Sequence, residues 1–298
     1  MPPDNVAPDI WFPNLRIYFA RVPQHIGSIF GLDIYVYAVL ILIGIISAYF
    51  LAVWYAKKTK QKAEDYTDLL MLGVPMAVIG LRAYFLVFNW QTYAGYPIWR
   101  ALFGLRDGGL AIYGGIIGAL LAGVIMSIVK KIPFTTFADT CAPSLLLGQV
   151  IGRTGNFFNR EAFGGYTDNL FAMRIRADQA RGVLNQAGDV RARYLDSVVV
   201  AQGVEYIQVH PAFLYEAFFN LLLMIALIIY RPRKKFAGEV ILMYLLGYGI
   251  IRFFVEGVRT DQLMFFDTGL PASQLVSVIF AVLSLIMIIA GRLRARGR

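Results

Sequence analysis

The chain has 298 residues, of which 58% are hydrophobic and 16% are charged, and its formal net charge is +9. It is more apolar than an ordinary soluble domain, so the composition predicts an integral membrane protein. The positive charge does not indicate a nucleic-acid partner, because the lysines and arginines cluster beside apolar segments. We expect membrane lipids as partners and no nucleic acid.

Seven apolar segments are long enough to cross a bilayer, which takes about 17–25 residues of helix. In chain order they are 34–55, 68–90, 110–129, 136–152, 211–230, 239–257 and 271–291. The fourth is the least regular, because Asp139, Pro143, Gln149 and Gly152 interrupt it. The predicted fold is an all-α integral membrane protein with seven transmembrane helices.

Basic clusters follow the odd-numbered segments and indicate the orientation of the chain. They are Lys57, Lys58, Lys60 and Lys62; Lys130 and Lys131; Arg231, Arg233, Lys234 and Lys235; and Arg292, Arg294, Arg296 and Arg298. All four clusters therefore lie on one side of the membrane, and the positive-inside rule makes that side cytoplasmic. The N-terminus is predicted outside and the C-terminus in the cytoplasm.

Two stretches outside the predicted helices are long. Residues 1–33 are expected to form an interfacial arm, with Trp11, Phe12 and Tyr18 at headgroup level. Residues 153–209 are expected to form a small extracytoplasmic head, with a helical piece over 174–186 and a strand over 206–209. The predicted organisation is an arm at 1–33, helices one to four at 34–152, the head at 153–209, and helices five to seven with a cytoplasmic tail at 210–298.

The sixth segment carries a polar stripe on an otherwise apolar helix. Tyr248, Arg252, Glu256 and Arg259 are spaced by 4, 4 and 3 residues, so they share one face. One reading is an internal Arg–Glu pair that neutralises itself. One carboxylate cannot neutralise both arginines, however, and an intramembrane charge is by default a functional hypothesis.

The predicted topology brings further polar residues to the same depth. Those in the outer half of the other helices are Tyr37, Tyr113, Arg153, Asn156, His210 and Glu216, and Arg82 lies between the midplane and the outer half. Several guanidiniums with few carboxylates favour an anion, and arginine matches phosphate oxygens in a bidentate way. At this depth the abundant anion is phospholipid. The reaction is then hydrolysis, or transfer of part of the lipid with phosphate as the leaving group.

Metal chemistry is not expected at this site. The only histidines are His25 and His210, and the sequence has no HExxH motif, no GxSxG motif and no cluster of metal ligands. We therefore expect neither a metal nor another cofactor.

The most specific motif runs from Gly152 to Gly164, at the end of the fourth segment. It reads G-R-x-G-N-F-x-N-x-E-x-x-G and resembles, at every fixed position, the signature of the bacterial prolipoprotein diacylglyceryl transferases. Shorter matches are Gly80–Tyr84, His210–Glu216 and Tyr248–Arg259. The resemblance implies an enzyme of the bacterial plasma (inner) membrane. Such enzymes transfer the diacylglyceryl group of phosphatidylglycerol to the lipobox cysteine of preprolipoproteins, forming a thioether and releasing glycerol phosphate.

The resemblance also implies roles for single residues. Arg153 and Arg252 match the arginines thought to hold and activate the phospholipid headgroup, and we expect both to be catalytic. The expected substrate-binding residues are Arg153, Asn156, Tyr37, Arg82, Glu161, Gly164, Tyr248, Glu256 and Arg259.

Tyr113 stands where many family members have a histidine that has been proposed as the base. We expect Tyr113 to be catalytic, either by taking the thiol proton or by hydrogen bonding to the lipid. A second departure is Ala38, which follows Tyr37 where the family usually has glycine.

Two other classes of protein use related features. A transporter or flippase for an anionic solute or lipid would also place arginines in a membrane cavity, but it would need polar residues along both halves of the membrane. A structural or receptor-like protein with seven helices would show no turnover.

Overall fold

A computed structural model describes residues 7–29, 31–93, 95, 97, 102, 104, 109–180, 197–260, 262 and 269–297. Long helices dominate it: α1 (Val36–Lys58), α2 (Ala63–Phe88), α3 (Ile112–Lys130), α4 (Phe134–Asn159), α5 (Ala212–Tyr230), α6 (Glu239–Val258) and α7 (Ala272–Arg296). A short helix, Trp90–Tyr93, follows α2, and a 3-10 turn, Arg231–Arg233, follows α5.

Six of these helices are long and apolar enough to cross a membrane, namely α1, α2, α3, α5 with its 3-10 turn, α6 and α7. The protein is therefore a mostly helical integral membrane protein, as predicted. Helix α4 spans 26 residues, including Pro143, but it is not among the six. Its polar residues, including Asp139, Gln149 and Arg153, explain the lower apolarity.

Residues 49–142 form one compact unit of the chain. Within it α2 and α3 pack at very short range through glycines. A Cβ on Gly80 would lie 2.1 Å from the Gly114 carbonyl oxygen, and one on Gly118 would lie 2.1 Å from that of Met76. Small residues permit such an approach of two membrane helices, and the gain is backbone-to-backbone van der Waals contact. A buried apolar group at Ala52, Ala56, Tyr66, Met126 and Phe137 completes the unit.

Residues 1–48 and 143–298 form the second compact unit. It contains a five-stranded antiparallel sheet in the order β2-β1-β5-β7-β6. The strands are β1 (Ile10–Phe12), β2 (Ile17–Phe19), β5 (Met173–Arg176), β6 (Val198–Ala201) and β7 (Val204–Val209). A separate hairpin pairs β3 (His25–Ile29) with β4 (Leu32–Tyr35).

Strand β5 shows why this sheet forms. Met173 and Ile175 are fully buried while Arg174 and Arg176 are only half-buried, which is the period of two of a strand with one face on a core. The helix predicted over 174–186 is therefore wrong at Arg174–Arg176, and residues 181–196 lie outside the described residues. The strand predicted over 206–209 is confirmed as part of β7.

Strands β1 and β2, near the start of the chain, belong to the same sheet as the strands of the head. Strand β1 pairs with β5, and Trp11 and Phe12 are buried in the protein. The Trp11 ring packs against Tyr206 of β7 at a centroid distance of 6.4 Å. Burial in a shared core accounts for these aromatic residues, in place of the exposed position at headgroup level that the sequence suggested. The division of the chain into four regions stays a prediction.

Candidate active site

The signature motif folds back on itself at the end of α4. The Asn156 and Asn159 side-chain amides both donate to Glu161 Oε1, at 3.1 and 3.0 Å. Arg160, between Asn159 and Glu161, has a φ of 53° and donates to Asp9 Oδ2 at 3.0 Å and to the Val22 carbonyl at 2.6 Å. The turn after α4 is thus held from both sides, and it fixes the Glu161 carboxylate beside the end of the helix.

Two glycines of the motif allow close contacts that a side chain would prevent. A Cβ on Gly155 would lie 2.6 Å from Cδ2 of Tyr37, the second residue of α1. A Cβ on Gly164 would lie 2.6 Å from the Val258 carbonyl oxygen at the end of α6. Gly164 must therefore be a glycine for the chain segments to approach as they do.

Backbone hydrogen bonds at Gly164 join three parts of the chain. The Gly164 N–H donates to the His210 carbonyl at 2.8 Å, and the His210 N–H donates to the Gly165 carbonyl at 2.9 Å. The Gly165 N–H donates to the Val258 carbonyl at 3.1 Å, and Gly164 forms an antiparallel bridge with Arg259. The motif, the residues before α5 and the end of α6 are therefore joined. The prediction that Arg259 lies on the helical stripe is wrong, because α6 ends at Val258 and Arg259 has extended backbone.

Glu216 of α5 is the centre of the charged groups at this end of the helices. It is only 1% exposed. Arg153 Nη2 of α4 lies 2.9 Å from Glu216 Oε1, and Arg252 Nη1 of α6 lies 3.1 Å from Oε2. The Tyr248 hydroxyl donates to Oε1 at 3.1 Å, and Arg252 Nη2 lies 2.5 Å from Glu256 Oε2. We call Arg153, Glu216, Tyr248, Arg252 and Glu256 the Glu216 cluster.

Burial differs between the two charges of the Glu216 cluster. The side chains of Arg153 and Arg252 are 24% and 16% exposed, whereas those of Glu216 and Glu256 are 1% and 4% exposed. The carboxylates thus contact the guanidiniums from the buried side. A guanidinium has five N–H donors in a rigid fork, more than these contacts use. Two arginines fixed on one carboxylate can therefore present further donors to the oxygens of one anion.

The central position of Glu216 was not predicted from the sequence. The spacing predicted a pair between Arg252 and Glu256, four residues along the same helix, with a spare positive charge on the stripe. That pair is present, but Arg252 also contacts Glu216 from a different helix. The spacing on one helix cannot reveal a partner on another. The signal that could have found it was the position of Glu216, in the predicted outer half of the fifth segment.

His210 lies two residues before the start of α5 and near Tyr215, with 3.4 Å between its Nδ1 and the Tyr215 hydroxyl. Burial lowers the pKa of the His210 imidazole below its usual value. The ring is therefore neutral at neutral pH. Among the described residues, no three His, Cys, Asp or Glu side chains form a group that could hold a metal ion.

Arg82 and Tyr113 lie in the unit formed by residues 49–142. Arg82 is buried, donates from Nη1 to the Gly109 carbonyl at 3.1 Å and lies 5.1 Å from the centre of the Tyr93 ring. Tyr113, near the start of α3, is 38% exposed, and its ring centre lies 6.3 Å from that of Tyr84. Their expected roles at the same site as Arg153 stay predictions.

Known proteins resemble this chain over most of its length. A sequence model of the family "Prolipoprotein diacylglyceryl transferase" matches residues 24–290. A phosphatidylglycerol–prolipoprotein diacylglyceryl transferase of Clostridium novyi (strain NT) is 35% identical over 267 residues, which is 90% of this chain and 95% of the relative. One from Bacillus cytotoxicus is 38% identical over 272 residues, which is 91% of this chain and 92% of the relative. The chain belongs to the prolipoprotein diacylglyceryl transferase family.

Proposed function

We propose that this protein transfers the diacylglyceryl group of phosphatidylglycerol to the cysteine thiol of a prolipoprotein, the first step of lipoprotein maturation. Membership of the family and the names of the relatives support this reaction. The observation that carries it at the level of residues is the Glu216 cluster, in which a buried carboxylate fixes two partly exposed arginines. This arrangement suits an anionic headgroup.

The reaction is a displacement at carbon. The thiol sulfur of the lipobox cysteine attacks the glyceryl carbon that carries the phosphate, and a carbon–sulfur bond forms as the carbon–oxygen bond breaks. The electron pair stays on the oxygen of the departing glycerol phosphate, and the thiol proton is released. Arg153 and Arg252 stabilise the negative charge that develops on the phosphate, and because Glu216 already fixes them they need little reorganisation.

The attacking thiol must lose its proton, because the thiolate is the nucleophile and a free thiol has a pKa of about 8.5. The positive arginines favour the thiolate in their neighbourhood. Tyr113 is proposed to serve the same reaction, either as the proton acceptor or as a hydrogen-bond donor to the lipid. A substitution that removes only its hydroxyl tests both roles.

The remaining predicted residues are proposed to bind and position the substrates. Tyr248 donates to Glu216 and Glu256 pairs with Arg252, so both support the cluster. Six others complete the proposed set, which is supported by their match to the family: Tyr37, Arg82, Asn156, Glu161, Gly164 and Arg259.

We propose seven transmembrane helices, with the N-terminus outside and the C-terminus in the cytoplasm, in the bacterial inner membrane. Helix α4 would be the seventh span, since 26 residues of helix extend about 39 Å and the hydrocarbon core is about 30 Å thick. Basic residues in the last turns of α1, α3 and α7 support this orientation. The Glu216 cluster lies near the ends of α4 and α6 and near the start of α5, so in this orientation it would face the extracytoplasmic half.

A transport function has less support. Two acidic residues near the proposed cytoplasmic ends are paired with basic ones. Glu239 Oε1 lies 2.7 Å from Arg292 Nε, and Asp65 Oδ1 lies 3.4 Å from Lys130 Nζ. Such pairs are suited to stabilising the helix ends rather than to lining a path for an anion.

The test uses purified protein in detergent with phosphatidylglycerol and a lipobox peptide. We expect release of glycerol phosphate together with a gain of one diacylglyceryl mass on the peptide. A peptide with serine in place of cysteine should gain no mass. Protein that adds no mass to the peptide but, after reconstitution into liposomes, moves phosphatidylglycerol across the bilayer would favour transport instead.

A further inference from the structure

A second set of buried polar side chains lies on the same three helices as the Glu216 cluster. Gln149 of α4 donates from Nε2 to the Tyr244 hydroxyl of α6 at 3.0 Å. Asn220 of α5 lies with its Nδ2 3.5 Å from Gln149 Oε1. We call Gln149, Asn220 and Tyr244 the amide layer. It joins α4, α5 and α6, which are the helices that the Glu216 cluster also joins.

The amide layer lies one helical turn from the Glu216 cluster, on the side away from the signature motif. Each of its members is four residues from a member of the cluster on the same helix, which gives the pairs Gln149 and Arg153, Asn220 and Glu216, and Tyr244 and Tyr248. The rings of Tyr244 and Tyr248 stack with 5.8 Å between their centres and 2° between their planes. The two polar sets are therefore in direct contact through these rings.

Packing alone does not explain an asparagine at position 220. The residue is 0% exposed, and its Oδ1 has no hydrogen-bond partner among the described residues. A buried acceptor without a donor lowers stability, and an apolar side chain of similar size would remove that cost. An amide in this place is better explained by a role in function.

We propose that the amide layer positions the Glu216 cluster for catalysis, an inference that rests on the proposed transfer reaction. Cross-links at two heights fix the rotation of α4, α5 and α6 about their own axes. A rotation of about 10° moves a guanidinium roughly 6 Å from the helix axis by about 1 Å. Misplacement by about 1 Å lowers the rate of a well-oriented reaction by about 100-fold. Gln149, Asn220 and Tyr244 are thus positioning residues that act through Arg153, Glu216 and Tyr248.

The test compares Tyr244→Phe, Gln149→Leu and the double variant, each made in protein that also carries Asn220→Leu, because loss of Gln149 would otherwise leave Asn220 Nδ2 without its acceptor. Tyr244→Phe leaves the Gln149 amide without its acceptor, so the midpoint of thermal unfolding in detergent should fall. The double variant removes both polar partners, and the midpoint should return toward the wild-type value. We expect kcat for transfer to stay about 10- to 100-fold below wild type in the double variant, because misplacement is at most about 1 Å while Glu216 still holds the arginines. The KM for phosphatidylglycerol should change less than about 2-fold.

Tyr230→Phe is the matched control. The Tyr230 hydroxyl accepts from Arg292 Nη2 at 2.9 Å at the far end of α5, so this variant loses a comparable contact away from the cluster. Its kcat should equal that of the wild type. Recovery of kcat together with the thermal midpoint in the double variant would overturn the positioning role. If the wild-type protein shows no transfer, the proposed function fails, and this role fails with it.

Discussion

The substitution Glu216→Gln tests whether Glu216 acts by fixing the positions of the arginines rather than by binding the lipid. The amide has nearly the shape of the carboxylate, but it carries no charge and turns one acceptor into a donor. Glu216 Oε1 contacts Arg153 and Tyr248, and Oε2 contacts Arg252, so the new amide nitrogen must face at least one N–H or O–H donor. At least one arginine therefore loses its fixed position.

The size of the effect follows from the burial of the cluster. Breaking a buried ion pair costs about 3–5 kcal/mol, and we expect the lower end because the two arginines remain partly exposed. Loss of orientation by about 1 Å should lower kcat by about 100-fold, which is about 2.7 kcal/mol of transition-state stabilisation. Removing a carboxylate that competes with phosphate leaves more positive charge, so the KM for phosphatidylglycerol should not rise.

The assay is steady-state transfer to a lipobox peptide at varied phosphatidylglycerol, with the folded fraction measured in parallel. Glu239→Gln is a matched control, because Glu239 is fully buried and lies 2.7 Å from Arg292 at the other end of α6. It should lower stability to a similar degree but keep kcat per folded molecule. A Glu216→Gln protein with normal kcat, whether its KM for phosphatidylglycerol is unchanged or raised tenfold, would refute the proposal that Glu216 holds both arginines in place.

Four further changes test other parts of the site. Arg153→Ala and Arg252→Ala should each lower transfer by at least about 100-fold in folded protein, measured as peptide mass gain, because each removes a fixed donor to the leaving phosphate. Gly164→Ala should strongly reduce transfer, because its Cβ would meet a backbone carbonyl at 2.6 Å. Tyr113→Phe should lower kcat at constant folded fraction if its hydroxyl takes part. Because burial lowers the pKa of His210, its imidazole should titrate by NMR below about 6.5. The stability that the neutral imidazole contributes is present above that pH and should be lost as the pH falls through the lowered pKa.

The controls for these changes are equally specific. Gly73→Ala adds a Cβ with nothing within 4 Å, so it should leave transfer unchanged. Full activity in Gly164→Ala, in either arginine variant or in Tyr113→Phe would remove that residue from the mechanism. For His210, a titration at or above the usual histidine pKa would contradict its burial.

The helices could be predicted from the sequence because long apolar runs set their bounds. Helix α5 (Ala212–Tyr230) and helix α6 (Glu239–Val258) lie within a residue or two of the predicted segments. The sheet could not be predicted in the same way. Strand β1 pairs with β5 from Ile10 to Ile175, and no local pattern in three residues of strand reports a partner so far along the chain.

The site was likewise predictable only in part. The polar stripe through Tyr248, Arg252 and Glu256 was visible because helical spacing places these residues on one face. Two other features depend on how three helices face one another. They are the contact of Glu216 with two arginines and the contact of Gln149 with Tyr244. That information lies in the packing rather than in the spacing along one helix.

The central claim is that the arginines of the Glu216 cluster assist departure of a phosphate from carbon. The most direct measurement uses phosphatidylglycerol labelled with oxygen-18 at the oxygen that joins the diacylglyceryl carbon to phosphorus. We predict that all of the label appears in the released glycerol phosphate while the peptide gains an unlabelled diacylglyceryl group through sulfur. Label retained on the diacylglyceryl product would mean that the phosphorus–oxygen bond breaks, and it would contradict the proposed chemistry.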